Sequence, residues 1–240
     1  MKKYDLLISA GCSFTEGGGL NSPEYHKYLS GHELENISTT TSTHTEYANY
    51  HSFPGYLSRL LGCEFINLGK SSGSNELIFK NLYTEINNNH EGKILVTLQT
   101  SIISRILLYI VDNDNFININ GVDGLPANVA LYYKNYITRF FKRDIEYKKL
   151  LQNIDVYTSW LLNKNIDVVW IPADIEGNIV ENKFTINFGN NESLLDFATT
   201  QKLRIIDLPN IHFKDHHLNE SGNELVAKKI YEHVERHYND

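Results

Sequence analysis

Leu6-Leu7-Ile8-Ser9-Ala10-Gly11-Cys12-Ser13-Phe14-Thr15 reads as an apolar strand that runs into a glycine-bearing turn. The run from Tyr4 to Ala10 is nearly all apolar, which is the pattern of a strand buried on both faces of a parallel sheet. Working outward, Phe53 to Leu61 has the spacing of a short amphipathic helix, and Glu64 to Leu68 is a second strand. The helix after Asn75 carries Leu77, Ile78, Leu82, Tyr83 and Ile86 at helical spacing, and Lys93 to Thr100 is a third strand. Tyr147 to Leu162 is a long helix, and Ile166 to Ile171 is a fourth strand halted by Pro172. Leu203 to Leu208 is a fifth, stopped by Pro209. The last helix starts near Asn219 or Ser221 and runs to about His237, with Ser221 and Glu224 at capping-box spacing. Strands alternating with helices predict right-handed crossovers and an α/β fold with helices on both faces of a mainly parallel five-stranded sheet.

Three stretches fit no element of that pattern: about 16–50, 102–141 and 174–200. They read as insertions into one domain spanning 1–240, the second a candidate lid and the third a hairpin around Ile179 to Phe188. An apolar fraction of 41% is enough for a core, and a formal charge of −7 argues against a nucleic-acid binder, which shows a basic stripe. Cys12 and Cys63 are too few for a disulfide framework. Lys2 and Lys3 precede an apolar run that contains Asp5 and breaks at Gly11, so it reads as a strand and not as a signal peptide. No stretch approaches the roughly 20 apolar residues that span a bilayer, so no membrane partner is expected. A cytoplasmic location is the default, with association with a phage particle or release after lysis left open.

In an open parallel sheet, ligands sit beyond the carboxyl ends of the strands. Ser13, the Gly69 to Asn75 loop, the Gln99 to Ser101 turn and the Asp215 to His217 segment all follow strands, which places them around one cleft. A serine hydroxyl is a poor nucleophile until a base takes its proton and a third group orients that base. All three residue types are present.

These motifs resemble those of the SGNH (GDSL-type) hydrolase family, and the resemblance implies a flavodoxin-like three-layer α/β/α sandwich. Gly11-Cys12-Ser13-Phe14-Thr15 is similar to the family's first block, making Ser13 the nucleophile. Asn67-Leu68-Gly69 to Gly73-Ser74-Asn75 is similar to the second, whose glycine N–H serves the oxyanion hole. Gly73 is preferred to Gly69 because Ser74-Asn75 follows it. Asp215 to Gly222 is similar to the last block, with His217 as base and Asp215 as its orienter. The oxyanion donors implied are the N–H groups of Ser13 and Gly73 with the side chain of Asn75. Two departures stand out. The usual D-x-x-H spacing is Asp215-x-His217 here, with Lys214 at the expected position, and the third-block Asn is absent from Leu98-Gln99-Thr100-Ser101. Asn75 or Gln99 is then the candidate for the missing amide donor.

The resemblance implies a serine esterase that needs no cofactor or metal and acts on a small-molecule or glycan ester, such as an O-acetyl group. The alternatives are a carbohydrate-binding or structural module that kept the fold and lost the chemistry, and an acyltransferase using the same residues. Other readings of single residues stay open. Ser13 also fits an N-cap, Gly17-Gly18-Gly19 and the Gly69 to Gly73 loop phosphate-binding turns, and His212, Asp215, His216 and His217 metal ligands, each a weaker reading than the catalytic one. No nucleotide or H-E-x-x-H spacing supports the last two. Oligomeric state is not legible.

Overall fold

The computed structural model describes residues 3–30, 41–110, 115–119, 121, 125–173, 182–188, 192–211 and 213–238. In chain order its elements begin with β1 (Leu6–Ala10), α1 (Ser13–Glu16), α2 (Pro23–Ser30), α3 (Thr41–His51), α4 (Phe53–Leu61), β2 (Glu64–Asn67) and α5 (Asn75–Ile86). Next come β3 (Ile94–Gln99), the strands β4 (Ile106–Ile110) and β5 (Asn115–Ile119), and α6 (Ala127–Asn135), which passes into a π-helical turn at Tyr136–Phe140. The chain continues through α7 (Arg143–Asn163), β6 (Asp167–Ile171), α8 (Leu194–Thr200), a 3-10 turn at Ile205–Asp207 and α9 (Glu220–His237).

The main sheet runs β2-β1-β3-β6, all parallel, and β4 and β5 pair antiparallel in a second, two-stranded sheet. Side chains alternate across β1. Leu7 joins Phe53, Leu57, Phe197, Val226 and Ile230 under α4, α8 and α9, while Leu6, Ile8 and Ala10 join Ile78, Leu82 and Leu161 under α5 and α7. Burying a leucine or isoleucine is worth about 1.5–3 kcal/mol, so a strand loaded on both faces takes a central place. The result is the α/β/α sandwich expected, with the flavodoxin-like order of parallel strands.

Helix starts follow their caps. Ser52, Ser74 and Ser193 accept from Gly55 N, Leu77 N and Asp196 N ahead of α4, α5 and α8. At α9 the cap is Asn219, whose Oδ1 accepts from Gly222 N at 2.8 Å, so the Ser221–Glu224 capping box is not what starts that helix.

The predicted fifth strand, Leu203 to Leu208, is also different. Arg204 forms a single antiparallel bridge to Leu218, and Asp207 then accepts from the Arg204 backbone and guanidinium, closing a 3-10 turn. The flank of β6 is instead covered by Thr185, bridged in parallel to Trp170, so the segment read as a hairpin gives one bridge. Ile179 lies outside the described residues. The 102–141 insertion is the β4–β5 pair with α6, and 16–50 contributes α2 and α3. Among the described residues no helix is long and apolar enough to cross a membrane.

Candidate active site

The order of strands reverses between β1 and β3, since the chain goes from β1 to β2 on one side and returns to β3 on the other. Ser13 follows β1 at that crevice, as the first residue of α1, and is 5% exposed. The Asp215–His217 segment enters from the far end of the chain, just before the Asn219 cap of α9. Ser13 Oγ and His217 Nε2 are 2.8 Å apart across 204 residues of sequence. On the other side of the ring, His217 Nδ1 lies 2.7 Å from Asp215 Oδ1. The same oxygen accepts the backbone N–H of His217 at 2.8 Å. An i to i+2 spacing therefore suffices, because one carboxylate oxygen holds both the main chain and the ring.

Burial pushes the Asp215 carboxyl up, but hydrogen bonds from the His217 ring and backbone, with the nearby imidazoles of His217 and His216, outweigh it and leave it below the usual aspartate range. His216 turns away from the crevice, where its Nδ1 meets Arg204 Nη1 at 3.5 Å. The neighbouring Phe14 ring sits 5.3 Å from that of His217.

Glu16, at the end of α1, has its carboxyl raised by burial against the opposing effects of Lys70, the Ser71 N–H and His217. Its neighbour Gly69 leaves no room for a side chain, since a Cβ there would stand 2.2 Å from Glu16 N.

The remaining candidates are placed differently from one another. Gln99 is fully buried beneath the turn, not facing the cleft. Its Oε1 accepts from Thr15 N at 3.1 Å and Thr15 Oγ1 at 2.6 Å, and its Nε2 reaches Cys12 Sγ at 3.1 Å. It braces the residues on either side of Ser13 and is not the missing amide donor. The N–H of Gly73 closes a turn onto the Lys70 carbonyl at 2.9 Å, and that of Gly69 goes to Asn67 Oδ1 at 2.9 Å. Both N–H groups are thus engaged within the loop itself. Asn75 clasps Ser101, accepting its N–H at 2.7 Å and donating to its carbonyl at 3.1 Å.

The sequence reading missed the placement of Gly18 and Gly19, which pack on Ser13, His217 and Asp215. A Cβ on Gly18 would stand 2.8 Å from Ser13 O and 3.0 Å from His217 Cδ2. Gly19 has φ +83°, and a Cβ there would stand 2.7 Å from Asp215 Oδ2. If Ser13, His217 and Asp215 act together in ester hydrolysis, Gly19→Ala is expected to lower kcat about 10- to 100-fold by displacing the Asp215 carboxylate, with KM little changed. The control is Gly62→Ala, at φ +67° with nothing within 4 Å, which carries the same backbone strain but leaves kcat alone. Steady-state kinetics on the two variants, beside their melting temperatures, makes the comparison.

A second missed feature pins the 16–50 insertion to α9. Glu220 accepts from Tyr47 Oη and, at 3.3 Å, from Tyr25 Oη, while His51 Nδ1 lies 3.5 Å from its other oxygen. Among the described residues no cluster of three or more His, Cys, Asp or Glu could hold a metal. His212, one of the metal-ligand candidates, lies outside them.

No family model matches the chain, and no curated protein matches it. Among solved structures it is similar to an α/β hydrolase enzyme, LAE5, from the metagenome of Lake Arreo, at 13% identity and TM-score 0.48, covering 97% of this chain and 95% of that one. It is also similar to a catalytic mutant of an acetylxylan esterase from Geobacillus stearothermophilus, at 15% identity and TM-score 0.45, covering 98% and 96%. A member of the lipolytic G-D-S-L family from Veillonella parvula is similar at 13% identity and TM-score 0.37, covering 95% and 96%.

Proposed function

We propose that the chain is a serine esterase of the SGNH (GDSL) type, acting on a small acyl ester such as an O-acetyl group on a glycan. The observation that carries this reading is the unbroken chain of short contacts from Ser13 Oγ through His217 to Asp215 at the switch point of the sheet. In it, Ser13 Oγ attacks the ester carbonyl as its proton passes to His217 Nε2, while Asp215 holds the Nδ1–H and favours the imidazolium that forms. Collapse of the tetrahedral adduct expels the alcohol, which takes the proton from Nε2. Water then attacks the acyl-Ser13 ester, with His217 again as base, and releases the acid. The oxyanion is held by the N–H of Ser13 and the second N–H of the Asn75 carboxamide, the first being given to Ser101. The Gly73 N–H joins them only by releasing Lys70 O.

The test is reaction of the purified protein with a fluorescent organophosphonate, followed by peptide mass analysis. One equivalent of label on Ser13 is expected, together with p-nitrophenyl acetate hydrolysis that falls in step with labelling. A label on another residue, or none, would overturn the reading. The occupied Gly73 N–H and the diverted Gln99 favour a second one, a glycan-binding module on the same fold. Glycan affinity unchanged by labelling-incompetent Ser13→Ala, without turnover in the wild type, is its signature.

A further inference from the structure

Arg105 stands where the chain leaves the carboxyl rim of β3 for the β4–β5 pair. Its Nη1 donates to Ser101 Oγ at 2.9 Å and to the Gly73 carbonyl at 3.5 Å. Both acceptors adjoin the loop that carries Gly73 and Asn75. Ser101 is the residue clasped by Asn75, and Gly73 lies against the turn that presents Ser13, where Lys70 N donates to Gly11 O at 3.0 Å and a Gly73 Cβ would stand 3.8 Å from that oxygen. The side chain is half-buried, and both of its acceptors are neutral. Among the described residues no carboxylate pairs with it.

A guanidinium presents five N–H donors in a planar fork that matches the two oxygens of a carboxylate. Here one nitrogen anchors the group to the rim, and the edge formed by Nε and Nη2 has no acceptor among the described residues. A half-buried guanidinium with that edge open offers a carboxylate a paired, charge-assisted contact. The rest of the rim narrows the choice of anion. Asp215 bonds the His217 ring and the Glu16 carboxyl is close enough to feel it, so a dianion would meet two carboxyl groups, whereas a single carboxylate is satisfied by a single fork.

We propose that Arg105 is the anion-recognition residue of this cleft, and that the ester it serves carries a carboxylate close to the scissile bond. The inference rests on the esterase reading and adds the substrate's charge to it. The carboxylate can sit on the alcohol side, as in an acylated hydroxy acid or uronic acid, or on the acyl side, as in a half-ester of a dicarboxylic acid.

Two matched pairs separate those sources. O-acetyl-lactate against O-acetyl-lactamide reads the alcohol side by acetate release. Monomethyl succinate against methyl succinamate reads the acyl side by methanol release. The quantity is the ratio of kcat/KM for the anion to that for its neutral partner, so any general loss of activity cancels. Wild type is expected to favour the anion about tenfold or more in one of the pairs, as a charge-assisted fork does. In Arg105→Gln, which keeps an N–H donor for Ser101 Oγ, the ratio falls to about one, and Arg105→Lys keeps part of it. High salt lowers the wild-type ratio and leaves that of Arg105→Gln unmoved.

Equal ratios in wild type and Arg105→Gln would overturn the inference while leaving the esterase reading in place. If the wild type cleaves none of the four esters, calorimetric titration with O-acetyl-lactate decides separately. Binding that Arg105→Gln and Arg105→Lys lose in graded fashion upholds the anion site, and no binding, or binding indifferent to Arg105, removes it, while the esterase reading stands or falls on the organophosphonate label at Ser13. Circular dichroism accompanies each variant, and Arg105→Lys carries the comparison if the glutamine variant does not fold.

Discussion

Ser13→Ala, His217→Ala and the double variant are expected to fall to one common floor, about 10^4- to 10^6-fold below wild type in kcat. The reason for a common floor is that the two groups perform one step. Ser13 Oγ, 2.8 Å from Nε2, attacks only as its proton leaves for that nitrogen, so once either is missing the other has nothing to do. Additive losses would mean that the side chains act independently and that the contact is incidental. The residual rate is supplied by oxyanion stabilisation and binding, which none of these substitutions touches. Stability separates the chemical effect from a trivial one. Ser13 Oγ makes one hydrogen bond, and its loss costs about 0.5–1.5 kcal/mol, a shift of a few degrees in melting temperature. The measurement is steady-state hydrolysis of p-nitrophenyl acetate by all four proteins beside their thermal unfolding. A variant that stays folded and retains more than about a hundredth of the wild-type rate would argue against the triad.

What the sequence disclosed follows the range of the interactions involved. β1 was legible because a strand buried on both faces must be apolar at nearly every position. The start of α5 was legible because a local signal, Ser74 three residues ahead of the N–H it caps, sits in the sequence itself. Leu203 to Leu208 was misread for a physical reason. A short apolar run has no period that tells strand from turn, and here Ile205 packs with Leu20, Tyr25 and Ala48 while Arg204 and Asp207 close a ring. The residue types of the proposed triad were readable, and the structure sets His217 beside Ser13 with His216 against Arg204. Gln99 was taken for a cleft residue because its partners, Cys12 and Thr15, lie more than 80 positions away and only the β1–β3 pairing brings them beneath it. The triple glycine was opaque in a different way. With no side chains it has no pattern of its own, and its meaning lies in what it packs against.

Asp215 is expected to separate two functions that alanine and asparagine remove to different extents. In Asp215→Ala both bonds to Oδ1 are lost, the backbone N–H of His217 and its ring Nδ1–H are left without their acceptor, and the ring is free to turn. A loss of about 10^4-fold in kcat is expected, the size seen when a triad histidine is held in the wrong tautomer. Asp215→Asn differs from the usual triad case, in which the amide presents its NH2 to the ring. Here the backbone N–H at 2.8 Å demands an oxygen at the Oδ1 position, so the amide is oriented with its oxygen toward both N–H groups. The tautomer survives and only the negative charge is lost, which costs about 10- to 100-fold at the 1.5–3 kcal/mol of a charged hydrogen bond. The pH dependence of stability gives an independent check. The folded carboxyl is held below its ordinary value, so the carboxylate form is the one the fold prefers. Its contribution is complete above the ordinary aspartate range and is lost as pH falls through the lowered folded value. The gap in melting temperature between wild type and Asp215→Asn should therefore be widest near neutrality and close on acidification. A gap that widens toward acid, or equal kcat for the alanine and asparagine variants, would show that Oδ1 does not hold the ring in the way its two bonds imply.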